Sequence, residues 1–191
     1  PDPDWGIPLG VHPTDLKKAI EEHPSCHNLL IVNPTYQGIT WKNAELIDLA
    51  KAYGLSVIVD EAHGAHLTFH DALPASLLDL GADLVVQSWH KTLPAITGTS
   101  ALLVGESYRG PDVSFALDVL QSTSPSYLML CSLEAASIYM AEHGRDDIER
   151  SLAEINAICQ EIAALKTLTV LHDPLWRQDP FKLNLASKAL S

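Results

Sequence analysis

The sequence predicts an α/β fold in which a largely parallel sheet carries helices on both faces. Short apolar runs typical of buried strands alternate with segments whose apolar residues recur at helical spacing. Glycines such as Gly54 and Gly81 directly follow two of the helical segments, where helices commonly stop. Because strands joined through helices run in the same direction, this alternation favours a parallel sheet with both faces covered.

The elements follow one another in regular order along the first part of the chain. Thr14 can cap the first helix, and Asn33-Pro34 halts the first strand because proline cannot continue it. In chain order, the predicted elements are helix 14–22, strand 29–32, helix 43–53, strand 55–59, helix 74–80 and strands 82–87 and 100–104.

The pattern changes after Ser126. Residues 127–141 and 146–165 are predicted as two consecutive helices, with His143-Gly144 as the break between them. Two further strands, 167–171 and 181–185, flank a proline-rich turn region. We therefore expect a major domain over residues 1–165 and the start of a small carboxyl-terminal α/β domain over residues 166–191. The chain opens without methionine and stops as a strand begins, so we expect a fragment of a longer polypeptide.

Composition narrows the class of partner. The formal net charge is −12, with 24 acidic and 12 basic side chains, which argues against nucleic acid and anionic membrane surfaces. No apolar run approaches the roughly 20 residues of a membrane helix. Cys26, Cys131 and Cys159 are widely spaced and odd in number, which favours a reducing compartment and a cytoplasmic location.

Two charged residues follow buried strands and carry the functional prediction. Asp60 closes the strand at 55–59, and Lys91 follows the strand at 82–87. The carboxyl ends of parallel strands share one crevice, so both side chains are expected to face the same ligand. A desolvated lysine amine is a nucleophile for an aldehyde cofactor, and a carboxylate keeps a pyridine nitrogen protonated. The pattern therefore indicates the cofactor half of a pyridoxal-phosphate enzyme.

The neighbours of these two residues fit the same site. His63, three positions after Asp60, can stack on a ring, whereas Glu61 is interpreted as structural. Ser88 and His90 flank Lys91 with short polar groups that suit a phosphate.

Two other interpretations use the same residues. The run Asp60-Glu61-Ala62-His63 spells the acidic box of certain nucleic-acid helicases, but the GxxxxGK[ST] loop that such enzymes require is not found in this chain. Metal binding is the second alternative, since the spacing of three and four residues among these histidines is possible on a helix. The histidines concerned are His63, His66 and His70.

Three stretches together closely resemble the Orn/Lys/Arg decarboxylases, basic amino acid decarboxylases of the aspartate aminotransferase superfamily (fold type I). These are NPTYQG at 33–38, VDEAHGAHLTFH at 59–70 and DLVVQSWHKTLPAITGTS at 83–100. The resemblance covers about residues 5–186, and its Ser-x-His-Lys core is specific. It implies the large domain of the pyridoxal-phosphate-dependent transferase fold, here incomplete. The family's upstream Gly/Ser/Thr phosphate loop has no counterpart in this chain.

The resemblance also implies roles for individual residues. Lys91 would form the internal aldimine of pyridoxal 5'-phosphate, and Asp60 would contact the pyridine nitrogen. Ala62 and His63 would lie against the two sides of the ring, which makes Lys91, Asp60 and His63 the expected catalytic residues. The expected cofactor-binding set is Asp60, Ala62, His63, Ser88, His90 and Lys91.

The activity that the resemblance implies is decarboxylation of arginine, lysine or ornithine to the corresponding amine, in polyamine metabolism. The site of such enzymes lies at a dimer interface, so we expect a homodimer or higher homo-oligomer with residues 122–127 facing the partner. The alternatives are another reaction on the same cofactor, such as amino transfer or lyase chemistry, and a non-catalytic fragment.

Overall fold

The computed structural model describes residues 6–40, 43–106, 108, 110–165, 167–171 and 177–187. Its helices are α1 (Pro13–Glu22), α2 (Asn43–Ala52), α3 (Trp89–Thr92), α4 (Val113–Leu120) and α5 (Tyr127–Ala164), with a 3₁₀ turn at Leu67–Phe69. Its strands are β1 (Asn28–Val32), β2 (Ile39–Thr40), β3 (Ser56–Asp60), β4 (Leu84–Gln87), β5 (Ala101–Val104), β6 (Leu168–Val170), β7 (Arg177–Gln178) and β8 (Leu185–Ser187). None of the helices described is both long and apolar enough to cross a membrane.

The central sheet has the order β1-β3-β4-β5. β1, β3 and β4 are mutually parallel, which confirms the predicted α/β fold with a mostly parallel sheet. β5 is the exception, since it runs antiparallel to β4 with Gln87 opposite Ala101. Because β3 and β4 run in the same direction, the residues that follow them emerge at one edge of the sheet.

The main core lies between one face of this sheet and α2. Val57, Val59 and Val85 are fully buried on that face, where they pack in one cluster with Ile47 and Ala50 of α2. Alternate residues of the strands point to the opposite face. There the edge strand β1 leaves Leu30 and Val32 exposed, at 69% and 58%.

The predicted helix at 74–80 is wrong. The segment forms turns, with backbone hydrogen bonds from Gly81 N to Leu78 O and from Ala82 N to Leu77 O. The Leu77 amide donates instead to the side chain of Glu61, over 3.0 Å. A buried carboxylate therefore takes the amide hydrogen that a helix would have used, which apolar spacing alone does not reveal.

The predicted break at His143-Gly144 is also wrong, because α5 continues through it as one helix of 38 residues. Gly144 is buried, and a Cβ at this position would lie 2.7 Å from Cε of Met140. This glycine allows close packing within a continuous helix.

The carboxyl-terminal strands are confirmed in part. β6 lies within the predicted strand 167–171 and pairs antiparallel with β8, with Val170 opposite Leu185. The second strand was predicted at 181–185, but the described strand begins only at Leu185. β7 was not predicted, and it pairs with β2 through Thr40 and Arg177. The domain boundary at residue 165 stays a prediction.

Candidate active site at the carboxyl edge of the sheet

Two neighbouring strand ends form the framework of the candidate site. Asp60 is the last residue of β3, and Ser88 leads from β4 into α3, which carries Lys91. The strands are joined at this edge by a hydrogen bond of 2.8 Å from Glu61 N to Val86 O. The structure therefore brings the two strand-end segments of the sequence prediction side by side.

The lysine of this site is accessible. Lys91 is exposed, and its Nζ lies 3.5 Å from Nε2 of His63. The desolvated lysine that the strand-end pattern predicts is not found in this chain, where the Lys91 side chain on α3 is exposed. The side-chain amine is therefore open to a ligand and lies beside an imidazole.

Asp60 is also exposed, and its carboxylate is oriented by the turn that follows β3. Its Oδ1 accepts a hydrogen bond of 3.0 Å from the backbone N–H of Ala62. Among the described residues, the carboxylate accepts this one hydrogen bond from the main chain, and its second oxygen can receive a proton donor from a ligand. Ala62 is half-buried and adds only a methyl group beside it.

His63 is half-buried, with one aromatic neighbour, Tyr36, and two cationic neighbours, Lys91 and Lys182. Its ring contacts Tyr36 edge-to-face, with centroids 5.2 Å apart. Burial lowers the pKa of His63, the positive charges of Lys91 and Lys182 lower it further, and Asp60 opposes them. The neutral ring is thereby favoured near neutral pH, and a neutral imidazole can pack against an aromatic ligand without the cost of burying a charge.

The other predicted cofactor residues lie along the same rim. His90 Nδ1 is 2.7 Å from the carbonyl oxygen of Thr99, so this nitrogen must carry the proton, since a carbonyl can only accept. Ser88 occupies the N-cap position of α3 without a capping bond from its side chain.

Glu61 is fully buried. Its carboxylate accepts hydrogen bonds from Ser76 Oγ at 2.8 Å, Leu77 N at 3.0 Å and Gln87 Nε2 at 2.7 Å. Burial raises the pKa of the Glu61 carboxyl, and the hydrogen bonds that it accepts oppose the rise. Gly64 packs directly on this side chain, since a Cβ there would lie 2.6 Å from Cγ of Glu61.

A cleft of about 380 Å³ opens beside Lys91, between α5 and the turn that follows β7. On its wall, His66 Nε2 and Asp179 Oδ2 lie 3.1 Å apart, both side chains being buried, but without the alignment of a hydrogen bond. Thr92 Oγ1 is a further buried atom without a hydrogen-bond partner among the described residues. The cleft is lined by His66, Lys91, Thr92, Met140, Asp147, Ile148, Ser151, Asp179, Phe181 and Lys182.

Two residues of this region were not assigned a role from the sequence. Lys182 reaches the site because Gly38 lets its side chain pack closely, and its Nζ lies 5.9 Å from the ring centroid of Tyr36. Tyr36 was visible only as part of the NPTYQG turn, and no motif marked Lys182. Contacts between segments so distant in sequence leave no signal in local spacing.

The three histidines of the metal-binding alternative have different partners. His63 faces Lys91, His66 faces Asp179, and His70 lies 2.7 Å from Glu149 on α5. Over the part of the chain that the structure describes, no group of three or more His, Cys, Asp or Glu side chains could hold a metal ion.

The chemistry of the rim residues fits pyridoxal 5'-phosphate. Lys91 supplies a primary amine that can react with an aldehyde. Asp60 supplies a carboxylate for a ring nitrogen, and His63 supplies an imidazole for a ring face. The buried Nδ1 of His63 has no hydrogen-bond partner among the described residues. An acceptor group on a bound ligand could satisfy it.

Comparison with known proteins identifies relatives of this chain. Residues 3–182 match the family described as Orn/Lys/Arg decarboxylase, major domain. The chain is 40% identical over 188 residues to YaaO of Bacillus subtilis, described as uncharacterized, covering 95% of this chain and 38% of that protein. It is 34% identical over 196 residues to the arginine decarboxylase of Bacillus subtilis, covering 99% of this chain and 40% of that enzyme.

A solved structure shows the same fold. The lysine decarboxylase of Francisella novicida superposes with a TM-score of 0.79 over 95% of this chain and 32% of that one, at 18% identity. The chain spans about two fifths of the length of the curated relatives it matches. Since the family match extends over nearly all of the residues, the chain belongs to the Orn/Lys/Arg decarboxylase family.

Proposed function

We propose that the protein decarboxylates a basic amino acid, namely arginine, lysine or ornithine, with pyridoxal 5'-phosphate as cofactor. The observation that carries the proposal is the distance of 3.5 Å between Lys91 Nζ and His63 Nε2, in the segments that follow the neighbouring strands β4 and β3, of which β3 ends at Asp60. Membership of the family and the likeness to an arginine decarboxylase support the reaction class.

The residues divide the work by their chemistry. When bound, the cofactor supplies an electrophilic carbon for an amine and a ring that accepts the electrons of the broken Cα–carboxylate bond. Lys91 would hold the cofactor covalently and return a proton to the substrate carbon. Asp60 would keep a proton on the ring nitrogen, while His63 and Ala62 would lie against the ring. Ser88 and His90 would hold the phosphate.

The cleft beside Lys91 supports a substrate with a distal positive charge. Oδ1 of Asp179 accepts the amide of Phe181 at 3.0 Å, whereas Oδ2 has no hydrogen-bond partner in the described structure. This oxygen faces His66 Nε2 at 3.1 Å, and the negative charge of a carboxylate on the cleft wall favours a cationic group. The amines expected as products belong to polyamine metabolism. The odd number and wide spacing of the three cysteines support a reducing, cytoplasmic location.

Labelled substrate tests the reaction. The intact protein, loaded with pyridoxal 5'-phosphate, should release labelled carbon dioxide from a carboxyl-labelled basic amino acid and form the matching amine. Formation of a keto acid with the label retained would instead show amino transfer. Release of neither product from arginine, lysine or ornithine would overturn the proposal.

We further propose that the protein works as a homodimer or higher homo-oligomer. Around the segment at 122–127, apolar side chains of α4 and α5 are exposed: Phe115 at 75%, Leu120 at 83%, Tyr127 at 81% and Leu128 at 68%. Contiguous exposed apolar surface marks protein contacts. Sedimentation of the intact protein should give a dimer or larger, and replacing Phe115 and Leu120 with glutamate should shift it toward monomer. A monomer before substitution contradicts this arrangement.

A further inference from the structure

One buried amide connects the two segments that carry Asp60 and Lys91. Gln87 is the last residue of β4 and is only 3% exposed. Its Nε2 donates to Oε2 of Glu61 at 2.7 Å, and its Oε1 accepts from Nε1 of Trp89 at 3.3 Å. Glu61 directly follows Asp60, and Trp89 is the first residue of the helix that carries Lys91.

The chemistry of the two neighbours suits only a side chain with both a donor and an acceptor. The Glu61 carboxyl oxygen accepts at this contact, and an indole such as that of Trp89 can only donate. The amide of Gln87 offers an N–H₂ to one and an oxygen to the other, so its orientation is determined. Glutamate or methionine at this position could not make both bonds.

The Glu61 end of this bridge is fixed from several directions. Glu61 also accepts from Ser76 and Leu77, its backbone N–H bonds to β4, and Gly64 packs on its side chain. The Trp89 end is held by the core, since the ring packs against the cluster that contains Leu67, Leu93 and Met140. The bridge therefore connects two anchored groups across the edge of the sheet.

We propose that Gln87 is a positioning residue, which sets the placement of Lys91 relative to Asp60 and His63 through the Glu61–Gln87–Trp89 bridge. The inference rests on the proposed function for its consequence in catalysis. It gives Gln87 a role distinct from that of Ser88 and His90, because its side chain is used entirely inside the protein. Misplacement of a reacting group by about 1 Å can lower the rate about 100-fold.

Three variants separate positioning from general stability. Gln87→Met removes both bonds of the bridge at similar volume, and Trp89→Phe removes only the indole donor. Ser76→Ala is the matched control, because it deletes a hydrogen bond to the same carboxylate but leaves the bridge intact. Each is compared with the unmodified protein after thermal unfolding has confirmed that it folds.

The first readout needs no cofactor. Nuclear magnetic resonance of the cofactor-free protein follows the titration of His63. Burial lowers the pKa of this histidine most, and the charge of Lys91 lowers it further. If the bridge positions Lys91, Gln87→Met and Trp89→Phe should raise the pKa of His63, since a displaced ammonium repels the protonated ring less. Ser76→Ala should leave it unchanged. Equal titrations in all four proteins would overturn the inference.

The second readout uses the loaded protein. Gln87→Met and Trp89→Phe should shift the pH at which the visible absorbance of the Lys91-bound cofactor changes, and should lower kcat about 10- to 100-fold with KM little affected. Ser76→Ala should match the unmodified protein in both. If Ser76→Ala behaves like Gln87→Met, the bridge is merely structural. If even the unmodified protein shows no such absorbance, the proposed function fails, while the His63 titration still decides whether Gln87 positions Lys91.

Discussion

Replacing Lys91 by alanine should abolish covalent attachment of pyridoxal 5'-phosphate and lower the decarboxylation rate roughly 1,000-fold or more, as loss of a catalytic nucleophile does. The fold should be unaffected, because Lys91 is exposed and surface substitutions change stability by about 0.5 kcal/mol or less. Borohydride reduction followed by mass analysis of the peptides locates the attachment site.

Lys182→Ala is the matched control for this experiment. Lys182 lines the same cleft, and its charge lowers the pKa of His63. The sequence resemblance does not assign cofactor attachment to Lys182. We expect Lys182→Ala to keep the covalent attachment. If the attachment is lost in Lys182→Ala and retained in Lys91→Ala, the assignment of the two lysines is reversed.

Replacing Asp60 by asparagine should produce the second largest loss, a fall in kcat of roughly 100- to 1,000-fold, the range for removing one group that stabilises developing charge. Asparagine keeps the Oδ1 that accepts from Ala62 N, so the turn after β3 should persist. What is lost is the negative charge that would hold a proton on the cofactor ring nitrogen. Steady-state kinetics and the absorbance spectrum of the loaded variant measure the effect.

Asp48→Asn serves as the control, because Asp48 is exposed on α2 and belongs to neither strand end. It should keep the rate of the unmodified protein. An Asp60→Asn variant that turns over at that same rate would show that Asp60 does not hold the ring nitrogen. Loss of cofactor binding in Asp60→Asn, at unchanged thermal stability, would still agree with a direct contact.

The sequence predicted the sheet well because its strands are short apolar runs with few competing interpretations. β1, β3 and β4 lie within or beside the predicted strands, and the segments carrying Asp60 and Lys91 emerge at one edge. The predictions failed where a long-range contact replaced a local preference. The helix predicted at 74–80 does not form, and the amide of Leu77 donates to the side chain of Glu61 instead. The predicted helix break at Gly144 is a packing position within α5.

By itself, the sequence determined which residue types stand at the strand ends, because apolar periodicity and chain order are local properties. It thereby determined the fold class. It also determined the resemblance to a known family, which depends on the motifs that contain Asp60, His63 and Lys91. Only the tertiary structure decided that β5 runs antiparallel, that Lys182 reaches the cleft and that Gln87 connects Glu61 to Trp89. Apart from the local bond between Gln87 and Trp89, these features depend on contacts between different segments of the chain, and such contacts form only when the packed core brings the segments together.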